Sequence, residues 1–374
     1  MLQLENRLLI RREIQVHIPD NYLSPQTCAV MTAVMIPAWT ISIKKIKAEL
    51  PAGKLPLLGV AAAFSFLGMM FNIPLPGGTT GHAVGGTLTG LLVGPYGACI
   101  SISVALLLQA LLFGDGGILA FGANCFNMAF VMPFVGYAVY LLISGKRKAK
   151  NSGAAQTAGT KSAGRELAGA VIGGFVGINA AALAAAIEFG IQPMLFRDAA
   201  GNAKYCPYPL SVAIPAMMIG HLTIFGLAEA VYTAAIYLFL QKTAPAALCG
   251  DEILMGGSGK KEKASEAGRE ETAKKSWGIP VLLGALMIGT PLGLLAEGTA
   301  WGEWGADEIA ATGAGYTPSG MLNGFSFEVL LPDYSLGNAP AVVGYLLSAV
   351  IGVAVLMMAF RLIAGFAGKK SKHS

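Results

Sequence analysis

His17 follows Val16 in the run Val16-His17-Ile18-Pro19-Asp20-Asn21-Tyr22-Leu23-Ser24-Pro25. A valine codon can serve as a bacterial start, and translation is expected to begin there, with residues 1–15 a mis-annotated extension. His17 is then the second residue of the mature chain. A free terminal amine, the amide nitrogen of the second residue and its imidazole are three nitrogens that chelate one metal in a plane. A square of nitrogens suits Ni(II) or Cu(II), whereas Zn(II) prefers a tetrahedron. The fourth nitrogen can come from His82. In the plainer reading, His17 is an ordinary polar residue ahead of a helix.

His82 sits in Phe71-Asn72-Ile73-Pro74-Leu75-Pro76-Gly77-Gly78-Thr79-Thr80-Gly81-His82-Ala83-Val84-Gly85-Gly86. Prolines and glycines suit a loop that folds back between helices, where irregular backbone must be buried or line a cavity. A lone histidine in such a loop usually serves as a hydrogen-bonding residue. Two on one face of a chain with four histidines raise the odds of a shared site.

Further candidates surround these two. His221 and Glu229, eight residues apart, share one face of an apolar stretch, where ionisable groups are expensive and tend to be functional. They either bond to neighbouring helices or help orient a metal-bound histidine. Asp115 lies in the tight turn Gly114-Asp115-Gly116-Gly117, with Asn124 and Asn127 just beyond. Asp20, Asp115, Asn124, Asn127, His221 and Glu229 are therefore candidates for orienting the ligands or lining the path of the ion. For the turn aspartate and the asparagines, turn stabilisation and helix pairing are the competing readings.

The elements that must position these residues are membrane helices. Of 374 residues 54% are hydrophobic and 13% charged, with mean hydropathy +0.61. Soluble domains carry roughly twice that charge. Apolar runs predict an all-α polytopic bundle of about nine spans at 26–43, 55–73, 83–94, 97–113, 118–143, 166–189, 211–240, 278–296 and 338–364, with Pro95 dividing the third from the fourth. No cleavable signal peptide is visible in the charged residues 1–15. The five scattered cysteines are expected to be free thiols.

Charge orients the bundle. Twenty-one of the 26 basic residues fall after the first, fifth and seventh spans and at the C-terminal end. The 297–337 loop has none, and carries six acidic residues. Positive residues stay inside, which places the amino terminus outside and the carboxyl terminus inside. Arg7, Arg11 and Arg12 break the pattern unless translation starts at Val16. The charged segment 241–277 is expected to be a cytoplasmic linker between a seven-span body, 16–240, and a two-span unit, 278–366. Gly169, Gly173, Gly177, Ala181 and Ala185 form a small-residue stripe open to helix packing inside the chain or to a partner.

Two motifs are excluded. Gly256-Gly257-Ser258-Gly259-Lys260-Lys261 lacks the leading glycine, the Ser/Thr after lysine and the preceding strand of a phosphate loop. No HExxH is present, which argues against a metalloprotease.

The His17–Pro25 run, the Gly77–Gly86 loop and the Gly114–Phe134 stretch resemble the M-type substrate-binding component of energy-coupling-factor nickel/cobalt transporters. Thr290–Ala296 and Leu331-Pro332-Asp333-Tyr334 resemble, more weakly, the two-span N-type auxiliary component, although its Pro-Asp-Gly-Leu-Glu string is absent as such. The resemblance implies a metal site made by the amine of Val16, the amide nitrogen and imidazole of His17, and His82. Valine where methionine is expected, with fifteen residues ahead, departs from the pattern. The resemblance also implies a non-catalytic uptake subunit in the cell membrane, with Ni(II) or Co(II) as transported substrate. Its partners would be a membrane coupling (T) subunit and cytoplasmic ABC-type ATPases, and no nucleic acid. The alternatives are cobalt uptake for corrinoid synthesis or, from another class, a membrane metal sensor or an integral membrane enzyme using His221 and Glu229.

Overall fold

The computed structural model describes residues 17–50, 54–76, 79–145, 160–248, 277–296, 298–306 and 308–370. Val16, most of the 241–277 linker, the 256–261 glycine-rich run and Cys249 lie outside them. Helix α1, Pro25–Glu49, begins where Pro25 presets the first turn and Ser24 Oγ accepts from Thr27 N at 3.1 Å. It is followed by α2, Pro56–Met69, and by a two-stranded antiparallel hairpin, β1 Asn72–Leu75 and β2 Thr79–His82. Register pairs Asn72 with His82, so the histidine sits where the hairpin returns to the bundle.

The remaining helices are α3 Gly86–Leu108, α4 Phe121–Ser144, α5 Thr160–Gly190, α6 Leu210–Thr243, α7 Gly278–Gly289 and α8 Ala341–Lys370. The protein is a polytopic helical membrane protein. Among the described residues, seven helices are long and apolar enough to cross a bilayer, and α2 is a shorter apolar one. The expected division at Pro95 is present as a kink within Gly86–Phe113, where two helical stretches meet; the first, 86–93, is too short to cross a bilayer alone. The break falls at Gly94 (φ 73°, ψ 163°), and Pro95 immediately starts the next helical stretch.

This central element is 78% buried over its most apolar stretch, against 17% for α1. Val30, Ile36 and Ile41 on α1 are exposed, as expected of a lipid-facing helix. The small-residue stripe of α5 is used inside the chain. A Cβ added at Gly173 would stand 2.5 Å from Gly136 O, and one at Gly177 would stand 2.9 Å from Met132 O. Helices α4 and α5 thus touch backbone to backbone. The C-terminal helices close on α2 in the same way, since a Cβ at Gly293 would meet Met70 O at 2.2 Å. Cys28, Cys99, Cys125 and Cys206 are free and buried.

Candidate metal centre

The segment from His17 to Ser24 is threaded into the bundle and held at nearly every residue. Asn124 Oδ1 accepts from Ile18 N and Asn124 Nδ2 donates to Ile18 O, both at 3.1 Å. Gly117 N also donates to Ile18 O at 2.9 Å. Asp20 accepts from Leu119 N at 2.7 Å and from Ile118 N at 3.1 Å. Burial raises the Asp20 carboxyl above its usual range, and those backbone donors partly offset the rise. Asn21, at φ 68° where asparagine is among the few tolerated side chains, exchanges two 2.8 Å bonds with the backbone of Phe325. Cys206 N bonds Tyr22 O, and Gln192 Oε1 accepts from Ser24 N.

This anchoring delivers His17, only 2% exposed, to the end of the hairpin. The rings of His17 and His82 lie 5.1 Å apart, centroid to centroid, at an interplanar angle of 63°. His17 Nδ1 is 2.8 Å from Asp115 Oδ1, and its Nε2 is 3.3 Å from Met69 Sδ. Asp115 Oδ2 accepts from Tyr334 Oη at 2.5 Å and from Gln109 Nε2 at 3.2 Å. Burial opposes the charge on Asp115, yet the facing His17 and the Tyr334 hydroxyl outweigh it and hold the carboxyl below its usual range. Tyr334 is correspondingly pushed well above a normal phenol by burial and by the Asp115 charge. His82 Nδ1 faces Ala83 O at 3.1 Å; donation there places the remaining lone pair on Nε2.

A cavity of about 90 Å³ joins the two imidazoles to three of the other candidates, Asn124, Asn127 and His221. Each of three π-helical turns, Gln109–Phe113, Cys125–Val131 and His221–Phe225, carries a residue of this network. Such turns widen a helix locally and recur at functional sites. Asp20, Asp115 and Glu229 stand behind the walls. Glu229, fully buried, accepts from Val84 N at 2.8 Å and Gly85 N at 3.0 Å, and so grips the backbone two residues after His82. His221 instead bonds Met217 O through Nδ1, so His221 and Glu229 serve separate networks.

Sequence reasoning missed four polar members. Gln109 and Tyr334 complete the Asp115 cluster, Glu188 bonds Asn127 Nδ2 at 3.0 Å, and Glu303 lines the cavity. Glu188 interrupts an apolar helix and could have been flagged on the same ground as Glu229. Glu303 carried no such signal, because it sits in a loop with five other acids. Burial pushes the Glu303 carboxyl well above its usual range, and Asp115 adds to this. Among the described residues no group of three or more His, Cys, Asp or Glu side chains converges as a metal cage.

A family model described as the cobalt uptake substrate-specific transmembrane region matches residues 17–247. The chain belongs to that family. A PDGLE domain model matches residues 275–369, so an M-type unit of this family is fused here to an N-type one. Two relatives span nearly the whole chain. The probable fused nickel transport protein LarMN of Lactiplantibacillus plantarum is 45% identical, covering 92% of this chain and 97% of its own. The fused nickel transport protein NikMN of Rhodobacter capsulatus is 46% identical, covering 94% and 97%. A crystal structure of a truncated transition metal transporter, 50% identical with a TM-score of 0.54, covers 61% of this chain and 99% of that one. Family membership and seven long apolar helices make this a multi-pass protein of the cell membrane.

Proposed function

We propose that this protein is the substrate-binding membrane subunit of an ATP-driven energy-coupling-factor transporter, with Ni(II) as its cargo and Co(II) the alternative. It acts in metal uptake, in keeping with its relatives. The observation that carries the reading is the pair His17 and His82, 65 positions apart in sequence and 5.1 Å apart as rings, against one small cavity.

In this proposal the amine of Val16, the amide nitrogen and Nδ1 of His17, and His82 hold the ion in a square. A chelate through the His17 amide closes its ring at Nδ1, the atom that Asp115 engages. The ion therefore displaces Asp115 from that nitrogen, while the carboxylate stays close enough to balance the dication. Glu229 keeps the His82 loop in place, and Asn124 keeps His17 at its station. Uptake units of this kind draw energy from elsewhere, so a coupling subunit and cytoplasmic ATPases are the proposed partners. The proposed division runs 16–240, 241–277 and 278–366, with the cavity on the outer face.

Calorimetric titration of Ni(II) and Co(II) into the purified protein tests the reading. His17→Ala and His82→Ala should each remove most of the binding, and unchanged affinity in both would defeat it. The terminal-amine ligand has its own test: protein starting at Val16 should bind Ni(II) far better than protein retaining residues 1–15. Protons compete with metal for amine and imidazole, so affinity should fall as pH is lowered from 7.5 to 5.5. The enzyme alternative is disfavoured by the engagement of Glu229 with Val84 and Gly85, which leaves His221 without it as an acid–base partner.

A further inference from the structure

The C-terminal unit contributes directly to the cavity wall. Ala300, Trp301 and Glu303 line the same space as His17 and His82, though they belong to the 275–369 match. Their segment is fastened across the fold. Thr79 Oγ1 donates to Thr299 O at 3.4 Å, tying it to the histidine hairpin, and Trp301 packs against Phe189 of α5.

Glu303 is unusual among these residues. It is partly exposed as a whole, yet its Oε2 is sealed from solvent and has no hydrogen-bond partner among the described residues. A buried carboxylate oxygen without a donor is costly to keep and calls for an explanation. The described residues bring no lysine or arginine to the cavity; its lining is otherwise apolar apart from imidazoles, amides and hydroxyls. Glu303 thus lines the cavity and carries one buried oxygen that no described residue claims. A divalent cation is the ligand that would satisfy it.

We propose that Glu303 is the entry ligand of the metal site, a carboxylate lent by the C-terminal unit that takes the hydrated cation first and passes it to the nitrogen ligands. This rests on the nitrogen site proposed above. Carboxylate oxygen binds a first-row dication less tightly than a set of imidazole and amine nitrogens, so transfer runs downhill. The role is kinetic, and it gives the fusion of the two units a physical purpose.

Stopped-flow mixing of the full-length protein with Ni(II), followed by quenching of tryptophan fluorescence, tests it, since Trp301 lines the cavity. Glu303→Gln should slow association about tenfold while changing dissociation less than threefold, and Glu303→Asp should restore most of the rate. Mn(II), which favours oxygen ligands, should slow Ni(II) entry in the unaltered protein and not in Glu303→Gln. Wild-type association in Glu303→Gln, or indifference of the unaltered protein to Mn(II), would overturn the proposal. His17→Ala separates the two claims. Binding lost in His17→Ala with normal kinetics in Glu303→Gln removes only the entry ligand, whereas normal binding in His17→Ala removes the nitrogen site itself.

Discussion

Asn124 holds the backbone of Ile18 by both atoms of its amide, accepting from N and donating to O at 3.1 Å each, across 106 residues of sequence. It mimics one rung of a β-ladder for a segment that has no strand beside it. The neighbouring histidine owes its position to this rung.

Asn124→Ala should therefore free the amino-terminal segment without disturbing the helices. Ile18 N loses its partner, a loss of about 1–3 kcal/mol for a buried group left unsatisfied, while Ile18 O keeps its bond from Gly117 N. Hydrogen exchange over residues 17–23 should accelerate, and Ni(II) affinity should fall at least tenfold. Asn124→Asp keeps an acceptor for Ile18 N but sets a carboxylate against Ile18 O, and should be no better. Unchanged exchange in Asn124→Ala would show that Asp20 and Gln192 suffice as anchors.

Asp115 gathers His17, Tyr334 and Gln109 around one carboxylate. Asp115→Asn preserves shape but removes the charge that would balance a dication in the proposed site, and partners of this kind are worth about 10–100-fold in metal affinity. Tyr334→Phe removes one donor, and its effect should be several-fold at most. Calorimetric titration of both variants decides the order; a larger loss in Tyr334→Phe would place the key interaction on the phenol.

Glu229 supplies the acceptor for two adjacent backbone donors after His82. Glu229→Ala strands Val84 N and Gly85 N, and should lower both the melting temperature and Ni(II) affinity, the latter about tenfold. Glu229→Gln can turn its amide oxygen to the same donors and its nitrogen toward Thr233, which now donates to Oε1 at 3.3 Å. Near-normal behaviour of Glu229→Gln beside a damaged Glu229→Ala would mark the residue as a positioning acceptor. Equal damage in both would instead point to a need for its charge or proton.

Glu303 makes a stability prediction of opposite sign to its proposed service in uptake. Burial, with a further push from Asp115, raises its carboxyl above the unfolded value of 4.5, so folding favours the protonated form. The stabilising contribution is full below about pH 4.5 and declines as pH rises toward the folded value. Glu303→Gln stays neutral throughout. Without metal it should melt close to the parent at pH 5 and above it at pH 8. A melting point below the parent at pH 8 would reveal a cationic partner for the carboxylate.

Much of the candidate site was legible from local chemistry. His17 next to Val16, His82 in a Pro/Gly loop and Asp115 in a glycine turn stand out because polar residues are rare in so apolar a chain. Glu229 stood out as an ionisable group in an apolar stretch, but its bonds to the backbone after His82 were not legible, since those partners lie 144 and 145 positions away. Glu303 was hidden by its acidic neighbours, among which only the folded path of the loop singles out one side chain. Pro95 was legible as a boundary, and the chain does break beside it, at Gly94, whose positive φ turns one helical stretch into the next.

By itself the sequence determined that the chain enters a bilayer as helices and singled out His17, His82 and His221 as rare polar candidates, because hydropathy and side-chain chemistry act over neighbouring residues. Only the tertiary structure decided that His17 meets His82, that Asp115 and Tyr334 stand behind them, and that a C-terminal carboxylate reaches the same cavity. Those contacts join positions tens to hundreds of residues apart. They form through helix packing and backbone clamps, and no local pattern along the chain encodes them.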